Sequence, residues 1–503
     1  MQTIIALDAG GTAVKVAAYD LHGRELVSAG EVMTPLRPQA GYCERDADAM
    51  WAALCRGIRT VLEKGRIDPR DVAVVGLTGY GNGLFLTDDA GRPVRRAILS
   101  SDQRAAGIVA EWTERGMEPR HVALTHQRLW AGKPLPLLAW LERHEPETLA
   151  RASHALLCKD FLRLRLTGTP ALEVSDASSG SLIDHAAGRR FTPAVLECTS
   201  LAHLGRLFGN AFLEPLSIAG AVSAEAAAET GLRAGTPVSA GYADGPAMLL
   251  ALGIVDDSRL NIIAGTWGLN QLLVGEPIAD GSILASLLGP RAGEYVLVDG
   301  GSTSASMFEW FVTEVVAGID PQRRQGDLYG WCNDAVAALP VDDPAVYFLP
   351  WLNGRLDRPD ARASFIGLSS WHSLPHMVRA VFEGVAIEHW QHAEKLLSGR
   401  ATPPAAIRFA GGAARSPAWL DIFAGTFDCP IELSEAKELG ALGAAIVAAT
   451  AAGLYPDLEA ATRAMTRVEK VVRPDPRRVE VLSRRKESYG LLRRQLDPVW
   501  HRL

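Results

Sequence analysis

The apolar positions of this chain fall into short runs that stop at glycine-rich turns. Ile4 to Leu7 is one such run and Val14 to Tyr19 is the next, with Asp8 and the turn residues Ala9, Gly10, Gly11 and Thr12 between them. Two runs joined in this way predict paired strands, and His22-Gly23 turns the chain into a third, so residues 1 to about 30 read as three antiparallel strands. Val72 to Leu77 predicts a buried strand that opens into Thr78-Gly79-Tyr80-Gly81-Asn82-Gly83. Apolar positions at helical spacing follow Asp46, a natural N-cap, over Ala47 to Lys64. They dominate again from Ala105 to Leu166, Pro375 to Leu397, Pro417 to Phe427 and Glu438 to Ala452.

The opening pattern recurs. Leu260 to Val274 is again an apolar run, a Gly265-Thr266 turn and a second strand, and Thr266 follows Thr12 by 254 positions (266 − 12), about half of the 503 residues. A repeat at that distance predicts an internal duplication, hence two similar α/β halves flanking a cleft. The division falls at residues 1–243 and 244–503. Ile407 to Ser416 supplies a third strand ending in a double glycine, Gly411-Gly412.

Length agrees with two domains, since one core stops growing well below 503 residues. A net charge of −7 argues against nucleic acid or an anionic membrane as the partner. The six cysteines have neither CxxC nor Cys/His metal-ligand spacing, and no apolar span of 18 residues or leader pattern occurs, so a reduced, cytoplasmic protein is expected. The oligomeric state is open, a homodimer being compatible with the sequence.

Each turn suits phosphate chemistry. Adjacent glycines let backbone N–H groups approach phosphate oxygens, Thr12 adds a hydroxyl, Lys15 a positive charge, and Asp8 can hold a hydrated Mg²⁺. Tyr80 and Asn82 sit at a strand end, where open α/β sheets bind ligands. Asp102 and Arg104, two apart after an apolar run, point the same way from an extended segment, although such a pair is commonly only a surface ion pair. Glu44 faces a polyol or merely a solvated loop. Asp244 stands at a helix start between the two phosphate turns, as a helix cap or as a base that takes a hydroxyl proton. Trp351 stacks on a ligand or packs in a core. The tail from Arg473 carries nine Arg or Lys against four Asp or Glu and reads as a solvated helix face.

Taken together, DAGGT (8–12), SSDQR (100–104), GYADG (241–245), AGTW (264–267), FIGL to RAVFEG (365–384) and AGGAARS (410–416) resemble the FGGY family of carbohydrate kinases over essentially the whole chain. TGYGNGLFL, ILSSDQRA and LTHQRLWAGKPLPLLAWLERHEPE are most similar to its L-xylulose kinases. The resemblance implies an actin-like ATPase (ribonuclease H-like) duplicated two-domain fold with a central cleft, and ATP and Mg²⁺ as cofactors. It also implies phosphate transfer to a hydroxyl of a small sugar. It assigns nucleotide contacts to Asp8, Gly11, Thr12, Lys15, Gly265, Thr266, Gly411, Gly412 and Ser416, and sugar contacts to Glu44, Tyr80, Asn82, Asp102, Arg104 and Asp244. Asp244 becomes the general base, with Asp8 and Asp244 nearest the metal. Two departures stand out: Tyr80, with Asn82, replaces a glutamine or histidine-containing pair, and Ser100 replaces a tryptophan. Other acceptors (erythritol, xylulose, ribulose or glycerol), a non-enzymatic sugar-binding regulator, and an ATPase of the actin or heat-shock type are the alternatives.

Overall fold

The computed structural model describes residues 2–209, 211–302, 304–319, 326–355 and 357–502. The chain divides into two compact units, each assembled from separated segments. Unit 1 comprises residues 1–255, 273–297 and 436–467, and unit 2 the remainder.

In unit 1 the antiparallel strands Thr3–Ala9, Ala13–Tyr19 and Glu25–Val32 form as the apolar runs predict. Val72–Gly79 then pairs parallel to Thr3–Ala9, placing Thr78 beside Asp8, and Tyr242–Ala243 pairs parallel to the end of Val72–Gly79. The first strand has no polar face because both of its sides are covered. Ile5 and Leu7 pack with Met50, Leu54 and Ile58 of the helix Ala47–Lys64. Ile4 and Ala6 pack with Ala247 and with Ala441, Ala445 and Ala448 of the helix Leu439–Ala451. Asp46 caps Ala47–Lys64, its side chain accepting from the Ala49 N–H at 2.9 Å. The small residues Gly443 and Ala444 bring the late helix onto this sheet and onto Asp244–Ala251.

Unit 2 repeats the plan. Arg259–Ala264 and Gly268–Val274 form an antiparallel hairpin, and Ala406–Ala410 pairs parallel to the first of them, followed by Ile431–Ser434. In both units a hairpin carries parallel strands on the outer side of its first strand, and the second hairpin strand is flanked in turn by Glu25–Val32 or Tyr295–Gly301. This shared order bears out the duplication that the two turns suggest.

Two expectations are settled by packing. Trp351 is 2% exposed and belongs to a core cluster with Leu349, Tyr489 and Trp500, so it is a core residue. The basic tail is more than a solvated face. Within the helix Pro476–Leu496, Arg485 is buried in an ion pair with Glu383, and the Tyr489 hydroxyl donates to Glu388 Oε1 at 2.8 Å. Charged composition concealed two anchoring side chains on one stripe of the helix.

Candidate active site

The chemistry of unit 1 gathers where three parallel strands end. Asp8 precedes the end of Thr3–Ala9, Tyr80 to Asn82 follow Val72–Gly79, and Asp244 follows Tyr242–Ala243. Carboxyl ends of parallel strands are the usual ligand edge of such sheets.

Asp244 is the first residue of the helix Asp244–Ala251 and caps nothing: its Oδ1 accepts from the next N–H, that of Gly245, at 2.7 Å. Burial pushes its carboxyl up to about 6, with the backbone N–H groups of Gly245 and Gly81 pulling it back. Asp8 is pushed up to about 7, by burial first and then by the charge of Asp244, while Lys15 opposes the shift. Asp8 also lies tight against the start of the helix Leu439–Ala451. A Cβ on Gly440 would stand 2.3 Å from Asp8 Oδ2, so only glycine leaves room for the carboxylate.

Lys15 is register partner to Asp8, but its Nζ is paired with Glu438 Oε2 at 2.6 Å. Glu438 was not legible beforehand, since it arrives from 423 positions along the chain. Gly11 and Thr12 are exposed at the turn, with open space where a Gly11 side chain would be. Arg45, another residue the sequence did not reveal, fixes this turn: its guanidinium donates to the carbonyls of Gly10 at 3.1 Å, Gly11 at 2.7 Å and Met33 at 2.9 Å. With those carbonyls held on one side, the turn keeps a set shape for an anion on the other.

The Asp102 and Arg104 pair is a buried network. Asp102 accepts from the Cys43 N–H at 2.6 Å and from the Arg104 N–H and Nε at 2.8 and 2.9 Å. Arg104 also donates to Glu44 Oε1 at 2.7 Å, and its guanidinium lies over the rings of Tyr42 and Trp140 at 4.1 and 5.1 Å. Arg95 binds the same Glu44 oxygen at 2.7 Å. Arg104 Nη1 is buried with no protein hydrogen-bond partner, and a buried donor of this kind calls for an acceptor. Tyr80 is 5% exposed and packs near Phe85, with Arg45 5.9 Å from its ring centre. Asn82, at φ +65°, donates to Ser179 Oγ at 3.4 Å and keeps a buried, unpartnered Oδ1.

In unit 2, Thr266 is exposed at the tip of its hairpin, its carbonyl accepting from Ser306 Oγ at 2.8 Å. Gly411, at φ +97°, abuts the strand that leads into this turn: a Cβ there would lie 2.4 Å from the carbonyl oxygen of Ala264, the residue before Gly265. Ser416 caps Pro417–Phe427, its Oγ accepting from Trp419 N–H at 3.3 Å and donating to Asn333 Oδ1 at 3.0 Å.

Among the described residues no cluster of three or more His, Cys, Asp or Glu forms a metal cage, and no helix is long and apolar enough to cross a membrane. The two recessed carboxylates of Asp8 and Asp244 are short of counter-charge. This oxygen donor set suits a largely hydrated Mg²⁺ carried with a nucleotide.

The sequence matches the model of the FGGY family of carbohydrate kinases, N-terminal domain, over residues 3–251 and the C-terminal domain over residues 260–452. It is 32% identical to the L-xylulose/3-keto-L-gulonate kinase of Escherichia coli, covering 96% of this chain and 95% of that one. It is 30% identical to the erythritol kinase of Brucella abortus, covering 99% and 97%. Among solved structures, the xylulose kinase of Rhodospirillum rubrum superposes with a TM-score of 0.89 at 26% identity over 99% of this chain and all of that one. That of Lactobacillus acidophilus gives 0.90 at 22% over the whole of both chains. The chain thus belongs to the FGGY family of carbohydrate kinases, and is an ATP-dependent sugar kinase with the two-domain actin-like ATPase fold.

Proposed function

We propose that the acceptor is a ketopentose, L-xylulose first, phosphorylated on its terminal hydroxyl, with Asp244 as the general base. The observation that carries the base is Asp244 at a parallel-strand end, half-buried, with its carboxyl raised to about 6 and no capping duty. A carboxylate of that strength is unprotonated at neutral pH and basic enough to accept the proton of the attacking hydroxyl. The sugar is supported by relatives, since the kinases 32% and 33% identical to this chain are named for L-xylulose, and by the hydrogen-bonding groups of Arg104 and Asn82.

In this reading the backbone of Gly11 and Thr12, held by Arg45, and the hydroxyl of Thr12 bind phosphate oxygens. Gly265, Thr266, Gly411, Gly412 and Ser416 bind the rest of the nucleotide. Mg²⁺, when bound, would neutralise charge on the transferring phosphoryl group, next to Asp8 and Asp244. Asp8 would hold the hydrated metal, with the charges of Lys15 and Glu438 acting on its carboxyl. Asp244 takes the hydroxyl proton as the new oxygen–phosphorus bond forms and the bond from the γ-phosphorus to ADP breaks, ADP leaving with its electrons. Positioning and electrostatics do most of the work.

A coupled assay of ADP release over pentuloses, hexuloses, erythritol and glycerol tests the substrate. L-xylulose is expected to have the highest kcat/KM. A higher value for erythritol, glycerol or a hexulose than for every pentulose would refute the ketopentose and leave the kinase standing. Thr266→Val is expected to weaken ATP binding about tenfold, the order lost with one hydrogen bond to a charged group, and to leave the affinity for sugar alone unchanged. Calorimetry with ATP, and separately with the sugar, checks both halves of the expectation.

A further inference from the structure

Unit 2 buries a histidine that takes no part in the reading above. His389, on the helix Leu374–Leu396, is 3% exposed, and both of its ring nitrogens are occupied. Nδ1 lies 3.0 Å from Asn270 Oδ1, and Nε2 lies 2.8 Å from Ser304 Oγ. Asn270 uses its Nδ2 to donate to the Asp299 carbonyl at 3.3 Å, which leaves its Oδ1 as the acceptor toward the ring. Nδ1 therefore carries the ring proton, and Nε2 accepts from the Ser304 hydroxyl. Burial pushes the ring down to about 3, so it is neutral at any working pH and these roles do not reverse.

The bonds converge on the hairpin tip that carries Thr266. Asn270 lies on Gly268–Val274, the strand that leaves the tip. Gly268, its first residue, packs against both other members: a Cβ there would stand 3.0 Å from His389 Nε2 and 3.1 Å from Ser304 Cβ. Ser304 immediately precedes the helix Ala305–Phe311, and two residues further on Ser306 Oγ donates to the Thr266 carbonyl at 2.8 Å. The tip is thus held from behind through Asn270 and at its outer carbonyl through Ser306, and His389 joins the two holds. Within the tip itself the Gly265 N–H reaches the Trp267 carbonyl only at 3.3 Å, a long bond, so the turn draws its shape from these outside supports. All of these residues belong to unit 2.

We propose that His389 is a positioning residue for the nucleotide: through Ser304 and Asn270 it holds the Gly265-Thr266 tip in the shape that receives ATP, without touching ATP itself. The inference rests on the proposed function, which seats the nucleotide on Gly265 and Thr266, and adds to it the residue that fixes that seat. Without Nε2 the buried Ser304 hydroxyl loses its acceptor. The segment that starts Ala305–Phe311 then shifts, and the hold of Ser306 on Thr266 shifts with it.

The test is calorimetry with the β,γ-imido analogue of ATP and Mg²⁺, and separately with the best sugar of the substrate screen alone. Wild type is compared with Ser304→Ala, His389→Phe, His389→Gln and the Ser304→Ala/His389→Phe double variant. Ser304→Ala and His389→Phe are each expected to weaken binding of the analogue about 10- to 100-fold, as a displacement near 1 Å at a binding turn does, with sugar affinity within twofold of wild type. The double variant should be no weaker than the worse single, because either change breaks the same bond. Glutamine sets an amide oxygen where Nε2 stood, so His389→Gln should return to within threefold of wild type. An analogue affinity within twofold of wild type in Ser304→Ala, losses that multiply in the double variant, a His389→Gln as weak as His389→Phe, or an equal fall in sugar affinity would each overturn the proposal. Ser304→Ala removes one oxygen and leaves the ring in place, so it decides the matter should His389→Phe not fold. Thr266→Val in the same assay tells two failures apart. If Thr266→Val binds the analogue as wild type does, the proposed nucleotide seat falls and this inference with it; if Thr266→Val weakens binding and Ser304→Ala does not, the seat stands and only the role of His389 is lost.

Discussion

Asp244→Asn is expected to lower turnover about 10²- to 10⁴-fold, the range general-base catalysis contributes, while sugar and ATP still bind. The amide keeps the shape of the side chain and its acceptor oxygen for the Gly245 N–H, so the fold and the helix Asp244–Ala251 should survive. What disappears is the ability to take a proton. Steady-state rates beside calorimetric affinities separate the two effects, and a variant within threefold of wild type would make Asp244 only the first residue of a helix. The pH profile carries the same information. Burial raises this carboxyl to about 6, and a base works only when unprotonated, so kcat/KM should be maintained above that value and fall as the pH drops through it. An ordinary exposed aspartate would give an acid limb near pH 4. In Asp244→Asn that limb should vanish from the residual rate.

Gly440→Ala is expected to reduce kcat by about 10²-fold, as a displacement near 1 Å at a reacting centre does, through a residue with no polar group of its own. The new methyl would stand 2.3 Å from Asp8 Oδ2 and 2.8 Å from its Cγ, so the carboxylate must swing aside or the helix Leu439–Ala451 must lift. The helix itself would accept the change, because alanine favours helices, so the cost falls on Asp8. Measured kcat with saturating ATP and Mg²⁺, together with a melting curve, distinguishes the outcomes. Lost turnover with a nearly unchanged Tm places the strain on Asp8, whereas full activity would mean that the carboxylate does not need its present position.

The strands, the two Gly-Thr turns and the duplication were readable because they are local: apolar runs of fixed length broken by glycine carry their own register. The capped helix Ala47–Lys64 was readable for the same reason, Asp46 lying next to the groups it satisfies. Asp244 was singled out by its position between two turns, and it stands as the first residue of its helix with no side-chain cap bond at that helix start. Arg45 and Glu438 were not legible, since each gains its meaning from a partner that only folding brings near. Arg45 reads as one charge in a polar loop, yet it holds Gly10 and Gly11 from 35 and 34 positions away. Lys15 was read as a free cation for the same reason: nothing around it in the sequence announces Glu438. Likewise, an Asp and an Arg two apart carry no sign of the tyrosine and tryptophan rings that enclose Arg104.

The helix Leu439–Ala451 completes the first sheet from the far end of the chain, and this has a consequence for how the protein is made. At about 5–20 residues per second of translation, the 360 residues between Gly79 and Leu439 (439 − 79) take roughly 20 to 70 s to appear. Throughout that time the side of the sheet formed by Ile4, Ala6 and Val74 has no late helix to cover it. The nascent chain therefore carries an uncovered aliphatic surface through most of its synthesis, a natural stretch for a chaperone to hold, and a ribosome that stops early releases a product that cannot bury it.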